Sequence, residues 1–233
     1  MIDWHSHILP GMDDGSRDVA ESISMTQMQS SQGIDIAIAT PHFYANDESV
    51  ESFLNRRSSA FEKLKTQLPD NSPSIKLGAE VRYYEGISQM SDLKKLRIED
   101  TKILLLEMPM TRWTEYMIRE LIQLSGKSGV QIVLAHVERY FKLQKQEVWQ
   151  RIRENGILMQ SNASFFFSFA TRRKAISLLK KGYIHLLGSD CHNMESRPPK
   201  IDKAVNIIRK RLGDDFLGQI NEYGFSLLAG TDN

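Results

Sequence analysis

Met1-Ile2-Asp3-Trp4-His5-Ser6-His7 joins a short apolar run, Met1–Trp4, to two histidines at its carboxyl end. A short apolar run of this kind is typical of a buried strand. Side chains of an extended chain alternate between two faces, so His5 and His7 are expected on the same side. The stretch therefore predicts a buried strand that brings two imidazoles to one place.

Six further apolar runs predict buried strands of the same kind. They are Ile34–Thr40, Ile75–Gly78, Ile103–Leu106, Gln131–Ala135, Ile157–Gln160 and Ile184–Gly188. The segments between and after them predict helices over Asp18–Gln32, Val50–Leu68, Thr114–Lys127, Gln146–Glu154, Thr171–Lys181, Lys203–Leu212 and Asp215–Tyr223. This alternation indicates one α/β domain over residues 1–233 with a parallel sheet. An irregular barrel of about seven strands fits best, and a doubly wound open sheet is the alternative.

The composition is that of an ordinary globular domain: 233 residues, 41% hydrophobic and 25% charged, with a net charge of +1. This charge gives no electrostatic support for nucleic-acid binding. A single cysteine excludes an internal disulfide. No apolar run approaches the roughly 18 residues of a membrane span, and no signal peptide is visible. We therefore expect a cytoplasmic protein without membrane insertion, and its oligomeric state stays open.

Histidine and carboxylate side chains follow the predicted strands at their carboxyl ends, where active sites of parallel α/β folds form. The set is His5, His7, His42, Glu80, Glu107, His136, Asp190 and His192. Mixed nitrogen and oxygen ligands suit Mn²⁺, Fe²⁺ or Zn²⁺, so this pattern predicts a metal site. His185 lies inside the seventh predicted strand and is interpreted as a core or bottom-face histidine with its hydrogen bonds satisfied. Cys191 alternates away from its neighbours and is expected to be a small buried residue.

Eight short motifs occur in a fixed order along the chain. They are Met1-Ile2-Asp3-x-His5-Ser6-His7, Asp13-Asp14-Gly15, Thr40-Pro41-His42, Gly78-Ala79-Glu80, Leu106-Glu107, Ala135-His136-Val137-Glu138-Arg139, Ser189-Asp190-x-His192-Asn193 and Ser196-Arg197-Pro198-Pro199. In this order they resemble the PHP (polymerase and histidinol phosphatase) superfamily, and within it the CpsB/CapC-type bacterial protein-tyrosine phosphatases. The resemblance runs from Met1 to about Arg197.

The resemblance implies a distorted (β/α)7 barrel of the PHP type that holds three divalent ions. Manganese is the ion expected, with Fe²⁺, Zn²⁺ or Mg²⁺ as alternatives. It implies one ion on His5, His7, Glu80 and Asp190, a second on Glu80, Glu107 and His136, and a third on Asp14, His42 and His192. Asp13 is the alternative to Asp14. The resemblance also implies that Arg139 and Arg197 hold the phosphate.

The implied activity is hydrolysis of phosphotyrosine by a metal-bound hydroxide, without a phospho-enzyme. The implied partner is the phosphotyrosine-bearing tail of a bacterial tyrosine kinase that controls capsule or exopolysaccharide synthesis. Cys191 and Arg197 have the spacing of a thiolate phosphatase loop, but the residues between them form a poor phosphate nest, and thiolate catalysis is not expected. Candidate aromatic contacts for a tyrosine ring are Tyr44, Tyr83, Tyr84, Trp113, Tyr140 and Phe165–Phe167.

Three other functions stay open from the sequence. The first is a small-molecule phosphomonoesterase of the histidinol-phosphatase type, which keeps the metals and changes the substrate. The second is a non-catalytic metal-binding module. A nucleic-acid phosphodiesterase is a weaker third, because the net charge does not favour it.

Overall fold

The computed structural model describes residues 1–230, which form nine strands and seven α-helices. The strands are β1 (Ile2–Ser6), β2 (Ile36–Ala39), β3 (His42–Phe43), β4 (Ser74–Leu77), β5 (Glu80–Arg82), β6 (Ile103–Glu107), β7 (Gln131–Leu134), β8 (Leu158–Asn162) and β9 (Leu186–Gly188). The helices are α1 (Val19–Ser31), α2 (Val50–Lys65), α3 (Glu115–Ser125), α4 (Gln146–Glu154), α5 (Phe169–Lys180), α6 (Ile201–Leu212) and α7 (Asp214–Leu228).

The strands pair in parallel in two groups, in the orders β1-β2-β4 and β3-β5-β6-β7-β8-β9. A parallel bridge between Ser6 and Cys191 joins the first group to the chain after β9. There the backbone N–H of Asp190 donates to the carbonyl of His5 at 2.8 Å. The first and last strands therefore lie side by side, and the result is an α/β fold with a curled parallel sheet.

The structure adds two short strands that the sequence did not predict, β3 and β5, each directly after a predicted strand. β2 ends at Ala39 and β3 begins at His42, with Pro41 between them. Proline has no N–H to give to a sheet, which explains the break. The chain between β4 and β5 makes a similar step, after which His42 pairs in register with Glu80. The two interruptions thus place a histidine and a glutamate side by side.

Most of the predicted elements are confirmed, with small shifts at their ends. The helix predicted over Gln146–Glu154 has those bounds, whereas the last helix continues to Leu228. The prediction that His185 lies inside a strand was wrong, because β9 begins one residue later. His185 Nδ1 instead accepts a hydrogen bond from the Met159 N–H at 3.1 Å, so the residue is a partnered, half-buried histidine as expected.

Helices cover the sheet through a continuous apolar core in which Phe43, Phe53, Leu121 and Tyr140 are fully buried. Burial of one such side chain stabilises the fold by about 1.5–3 kcal/mol, which holds the strand ends in fixed positions. Within residues 1–230, no helix has both the length and the apolar character needed to cross a membrane.

Candidate metal centre

His5 and His7 are fully buried and point to the same place, as the alternation along β1 predicts. Their Nε2 atoms lie 3.1 Å apart. Asp190 Oδ1 lies 3.6 Å from the Nε2 atom of each ring. The end of β1 and the loop after β9 therefore build one group of three candidate ligand residues.

Glu80 lies at the centre of the cluster and is 1% exposed. Its Oε2 atom is 3.1 Å from His5 Nε2, 3.3 Å from His7 Nε2 and 3.0 Å from His42 Nδ1. Its Oε1 atom faces the other way and lies 2.8 Å from His136 Nε2. One carboxylate thus faces two groups of ligands through its two oxygens.

Glu107 and His136 complete the group on the Oε1 side of Glu80. Glu107 Oε1 lies 3.4 Å from His136 Nε2. Asp14, His42 and His192 form a further group together with His7. There Asp14 Oδ1 lies 3.5 Å from His42 Nε2 and 3.4 Å from His192 Nε2. All nine predicted ligand residues therefore come together at the carboxyl ends of the strands.

Asp13 and Asp14 have different surroundings, although they are neighbours in the sequence. Asp13 Oδ2 lies 2.7 Å from His7 Nδ1 and accepts a hydrogen bond from the His42 N–H at 2.8 Å. The side chain of Asp14 is 66% exposed and faces His42 and His192. Asp13 is thus placed to orient a histidine, and Asp14 is placed among the ligand atoms.

Four histidines of the cluster share one orientation: Nδ1 contacts the protein and Nε2 faces the centre. The Nδ1 contacts are His5 to Gln160 Oε1 at 3.3 Å, His7 to Asp13, His136 to the Tyr140 hydroxyl at 3.2 Å, and His192 to the Asp190 carbonyl at 3.0 Å. Metal-ligating histidines almost always contact a second protein group through the other ring nitrogen. The sequence does not predict these roles of Gln160 and Tyr140, since Tyr140 is expected only among the aromatic contacts for a tyrosine ring.

The carboxylates of the cluster stabilise positive charge on its histidines. Burial lowers the pKa of His7, but hydrogen bonds with Asp13 and Glu80 outweigh burial and raise the pKa to about 10. Burial also lowers the pKa of His136, while Glu107 and Glu80 raise it to about 9. The pKa of Glu80 lies well below its usual range: burial raises it, but the charge of His5 and contacts with other histidines lower it further.

Among residues 1–230, three buried atoms of candidate ligand side chains have no hydrogen-bond partner, namely His42 Nδ1, Glu107 Oε2 and His192 Nε2. A buried polar atom without a partner costs about 1–3 kcal/mol, so such atoms are rare in folded proteins. All three atoms lie in the ligand groups described above. Together with the mixed histidine and carboxylate donors, they fit divalent transition-metal ions.

The backbone is strained at two of the ligand residues. His136 has φ 34° and Asp190 has φ 52°, in the left-handed region that non-glycine residues rarely adopt. Such conformations persist at functional sites when the surroundings hold them in place. Gly188 contributes a close approach, since a Cβ atom there would lie 2.6 Å from His5 Cβ and 2.7 Å from Gln160 Nε2. Only glycine allows β9 to run this close to His5.

Arg139 and Arg197 lie together at the edge of the cluster. Their Nη2 atoms contact Asp190 Oδ2 at 2.6 and 2.8 Å, and the Asn162 side-chain amide donates to the same oxygen at 2.7 Å. The arginine side chains are 35% and 40% exposed, so both reach solvent. Three donors converge on one carboxylate oxygen beside the ligand groups.

Cys191 is fully buried, as the sequence analysis expects. Burial raises the pKa of its thiol well above the usual value, and the nearby Asp3 charge raises it further. A reactive cysteine needs a lowered pKa and access to solvent. The geometry therefore does not support a thiolate nucleophile.

Only some of the candidate aromatic residues are accessible from the cluster. Tyr83, Trp113, Tyr140 and Phe166 are buried in the core. Phe167 is half-buried and lines a cavity of about 310 Å³ that also contains Arg139 and Arg197. The two arginines therefore line one cavity together with an aromatic residue.

Comparison with known proteins identifies the family of this chain. The profile of the family described as "Capsular polysaccharide synthesis, CpsB/CapC" matches residues 1–223. Tyrosine-protein phosphatase YwqE of Bacillus subtilis is 32% identical over 240 residues, covering 98% of this chain and 91% of that protein. Tyrosine-protein phosphatase CpsB of Streptococcus pneumoniae is 30% identical over 235 residues, covering 91% of each.

A solved structure matches over almost the same length. The crystal structures of YwqE from Bacillus subtilis and CpsB from Streptococcus pneumoniae are described as unique metal-dependent tyrosine phosphatases. A chain from that work gives a TM-score of 0.84 at 28% identity and covers 98% of this chain and 94% of that chain. Because the sequence and the fold agree over nearly the whole length, this chain belongs to the CpsB/CapC family of capsular polysaccharide synthesis proteins.

Proposed function

We propose that this chain is a metal-dependent protein-tyrosine phosphatase that hydrolyses phosphotyrosine on a protein substrate. The observation that carries the proposal is the arrangement around Glu80, where histidine and carboxylate groups converge beside two arginines. The relatives named tyrosine-protein phosphatases support the same activity. The proposed partner is the phosphotyrosine-bearing tail of a bacterial tyrosine kinase that acts in capsule or exopolysaccharide synthesis.

The proposed ligand assignment follows the three groups. His5, His7, Glu80 and Asp190 would hold one divalent ion, Glu80, Glu107 and His136 a second, and Asp14, His42 and His192 a third. Manganese is the ion we propose, since nitrogen and oxygen ligands suit it and thiolate is absent from the set. Divalent ions bound there supply Lewis acidity toward phosphoryl oxygens and lower the pKa of water.

Arg139 and Arg197 are proposed to hold the phosphoryl group. A guanidinium is planar, permanently charged and carries five N–H donors, which suits bidentate contact with phosphoryl oxygens. Contact with Asp190 occupies only part of each fork. The half-exposed position of both side chains lets the remaining donors face a substrate in the cavity.

The chemistry of the leaving group favours phosphotyrosine in such a site. The phenol of tyrosine has a pKa of about 10, so its oxyanion leaves far more easily than the alkoxide of serine. Charge on the phosphoryl oxygens is the main feature to be stabilised in phosphoryl transfer. The permanent positive charge of the two arginines meets that need without proton transfer from the protein.

We further propose that residues 1–233 form a single cytoplasmic domain of distorted (β/α)7 type. Counting β2 with β3, and β4 with β5, as two interrupted strands gives the seven strands of that arrangement. The backbone hydrogen bond from the Gly78 N–H to the Ala39 carbonyl at 2.8 Å supports this count, because the sheet continues through one of the interruptions.

The test of the proposal measures hydrolysis of four substrates: p-nitrophenyl phosphate, a phosphotyrosyl peptide, a phosphoseryl peptide and histidinol phosphate. Each substrate is measured with manganese and with a chelator. We expect turnover that the chelator abolishes and manganese restores, with the highest kcat/KM for the phosphotyrosyl peptide. Absence of chelator-sensitive turnover would indicate a non-catalytic module. Preference for histidinol phosphate would indicate the small-molecule enzyme.

A further inference from the structure

The cavity beside Arg139 and Arg197 has a second wall with different chemistry. Phe167, Lys200 and Lys203 line this wall, where the turn after β8 meets the start of α6. We call these three residues the lysine site. The cavity volume of about 310 Å³ lies at the lower end of the range for small-ligand pockets, which is enough for one phosphotyrosyl side chain.

The cavity holds more positive charge than one phosphoryl group requires. Its lining has four cationic side chains and one carboxylate, Asp190, which Arg139 and Arg197 already contact. Among residues 1–230, Lys200 and Lys203 have no ion-pair partner. The proposed function uses the two arginines and leaves the two lysine charges without a role.

Phe167 is held so that one part of its ring faces the cavity. The Arg172 Nη2 atom donates to the Phe167 carbonyl at 2.6 Å and fixes the backbone. The Lys203 Nζ atom lies 5.8 Å from the Phe167 ring centroid, within the range of a cation–π contact. An aromatic ring that packs on Phe167 therefore lies next to an ammonium group that has no carboxylate partner among the described residues.

We infer that the lysine site recognises a second anionic group that neighbours the phosphotyrosine in a protein substrate. The phosphotyrosyl ring packs against Phe167, and a carboxylate or a second phosphoryl group contacts Lys200 and Lys203. A substrate with an ammonium group next to its phosphate is disfavoured, because it meets two like charges. This inference rests on the proposed function and deepens it by defining the substrate as an acidic or multiply phosphorylated tyrosine segment.

The test measures binding by fluorescence anisotropy with manganese-loaded protein, so that it does not depend on turnover. The probes are peptides that carry phosphonomethyl-phenylalanine, a hydrolysis-resistant phosphotyrosine mimic, next to glutamate, alanine, lysine or a second such mimic. The variant Lys200→Gln/Lys203→Gln removes both charges. The matched control Lys63→Gln/Lys210→Gln removes two exposed charges, one on α2 and one near the end of α6, outside the cavity lining.

Wild-type protein and the control are expected to bind the glutamate peptide about fivefold more tightly than the alanine peptide, and the lysine peptide more weakly than both. The peptide that carries two phosphotyrosine mimics is expected to bind most tightly. The Lys200→Gln/Lys203→Gln variant is expected to bind the glutamate and alanine peptides equally. Equal binding of both peptides by the wild type, or a preference that survives in that variant, overturns the inference. If the wild-type protein shows no turnover, the proposed function is overturned. The binding measurement still tests the lysine site, because it does not depend on turnover.

Discussion

Asp13 fixes the ring of His7 through a contact of 2.7 Å between its Oδ2 atom and the His7 Nδ1 atom. The same carboxylate accepts from the backbone N–H groups of Gly15 and His42 at 2.9 and 2.8 Å. These contacts leave His7 Nε2 facing His5 and Asp190. Asp13 therefore sets the direction of a candidate ligand.

Asp13→Asn is expected to weaken metal binding by about 10–100-fold while the protein stays folded. The amide retains the shape but loses the charge that orients His7 and favours donation from its Nδ1–H. Manganese titration by calorimetry measures this change, with circular dichroism as the check on folding. Unchanged manganese affinity in the folded variant would show that Asp13 does not position His7.

Gly188→Ala is expected to destabilise the protein by about 2–4 kcal/mol and to lower metal occupancy. The new Cβ atom would lie 2.6 Å from His5 Cβ, so either β9 or the His5 side chain must move. Urea unfolding measures the change in stability. The control Gly218→Ala lies in α7 with open space around it and is expected to stabilise by about 0.5–1 kcal/mol. Equal stability of both variants would contradict the proposed close approach.

Cys191→Ser is expected to keep chelator-sensitive turnover, because the thiol is buried and has a raised pKa. The measurement is kcat/KM for p-nitrophenyl phosphate together with metal content by mass spectrometry. A folded variant with full metal content and no turnover would support a thiolate mechanism instead.

His185 is expected to make the stability depend on pH on the acid side. Burial, and then the charge of Arg153, lower its pKa from 6.5 to about 4. Below pH 6.5 the unfolded chain therefore binds a proton that the folded chain does not accept until about pH 4. The contribution of the neutral ring is fully present above pH 6.5 and is lost as the pH falls from 6.5 toward 4, by about 3 kcal/mol at most.

His185→Asn removes this titration and provides the comparison. We expect the free energy of unfolding of wild type, relative to the variant, to decrease between pH 7.5 and pH 4.5, measured by urea unfolding at each pH. A constant difference between the two proteins would contradict the lowered pKa of His185.

Short-range rules predicted part of this site from the sequence. The common direction of His5 and His7 follows from strand alternation, and the approach of separate strand ends follows from the parallel sheet. The pairing of His42 with Glu80 could not be predicted in this way. It depends on the breaks between β2 and β3 and between β4 and β5, and these breaks depend on how the sheet curls. The separate roles of Asp13 and Asp14 depend on a turn that residue type alone does not define.

The second layer of contacts was also beyond the sequence analysis. Gln160 lies on β8, yet it contacts His5 Nδ1 and accepts from the His136 N–H at 2.7 Å. Asp3 is fully buried and accepts from the Ser189 side chain and N–H. Asp3 lies two residues before a predicted ligand, and Gln160 is the central residue of β8. These positions alone do not predict the contacts, because the partners come from distant parts of the chain.

Anomalous X-ray scattering from crystals grown with manganese locates any divalent ions bound at Glu80 and its surrounding ligands. We expect anomalous peaks about 2.0–2.3 Å from ligand atoms of the three groups around Glu80, with Asp14 and not Asp13 as a direct ligand. Crystals of active, manganese-dependent protein without peaks at these residues, or with peaks only elsewhere, would contradict binding of the ions at Glu80.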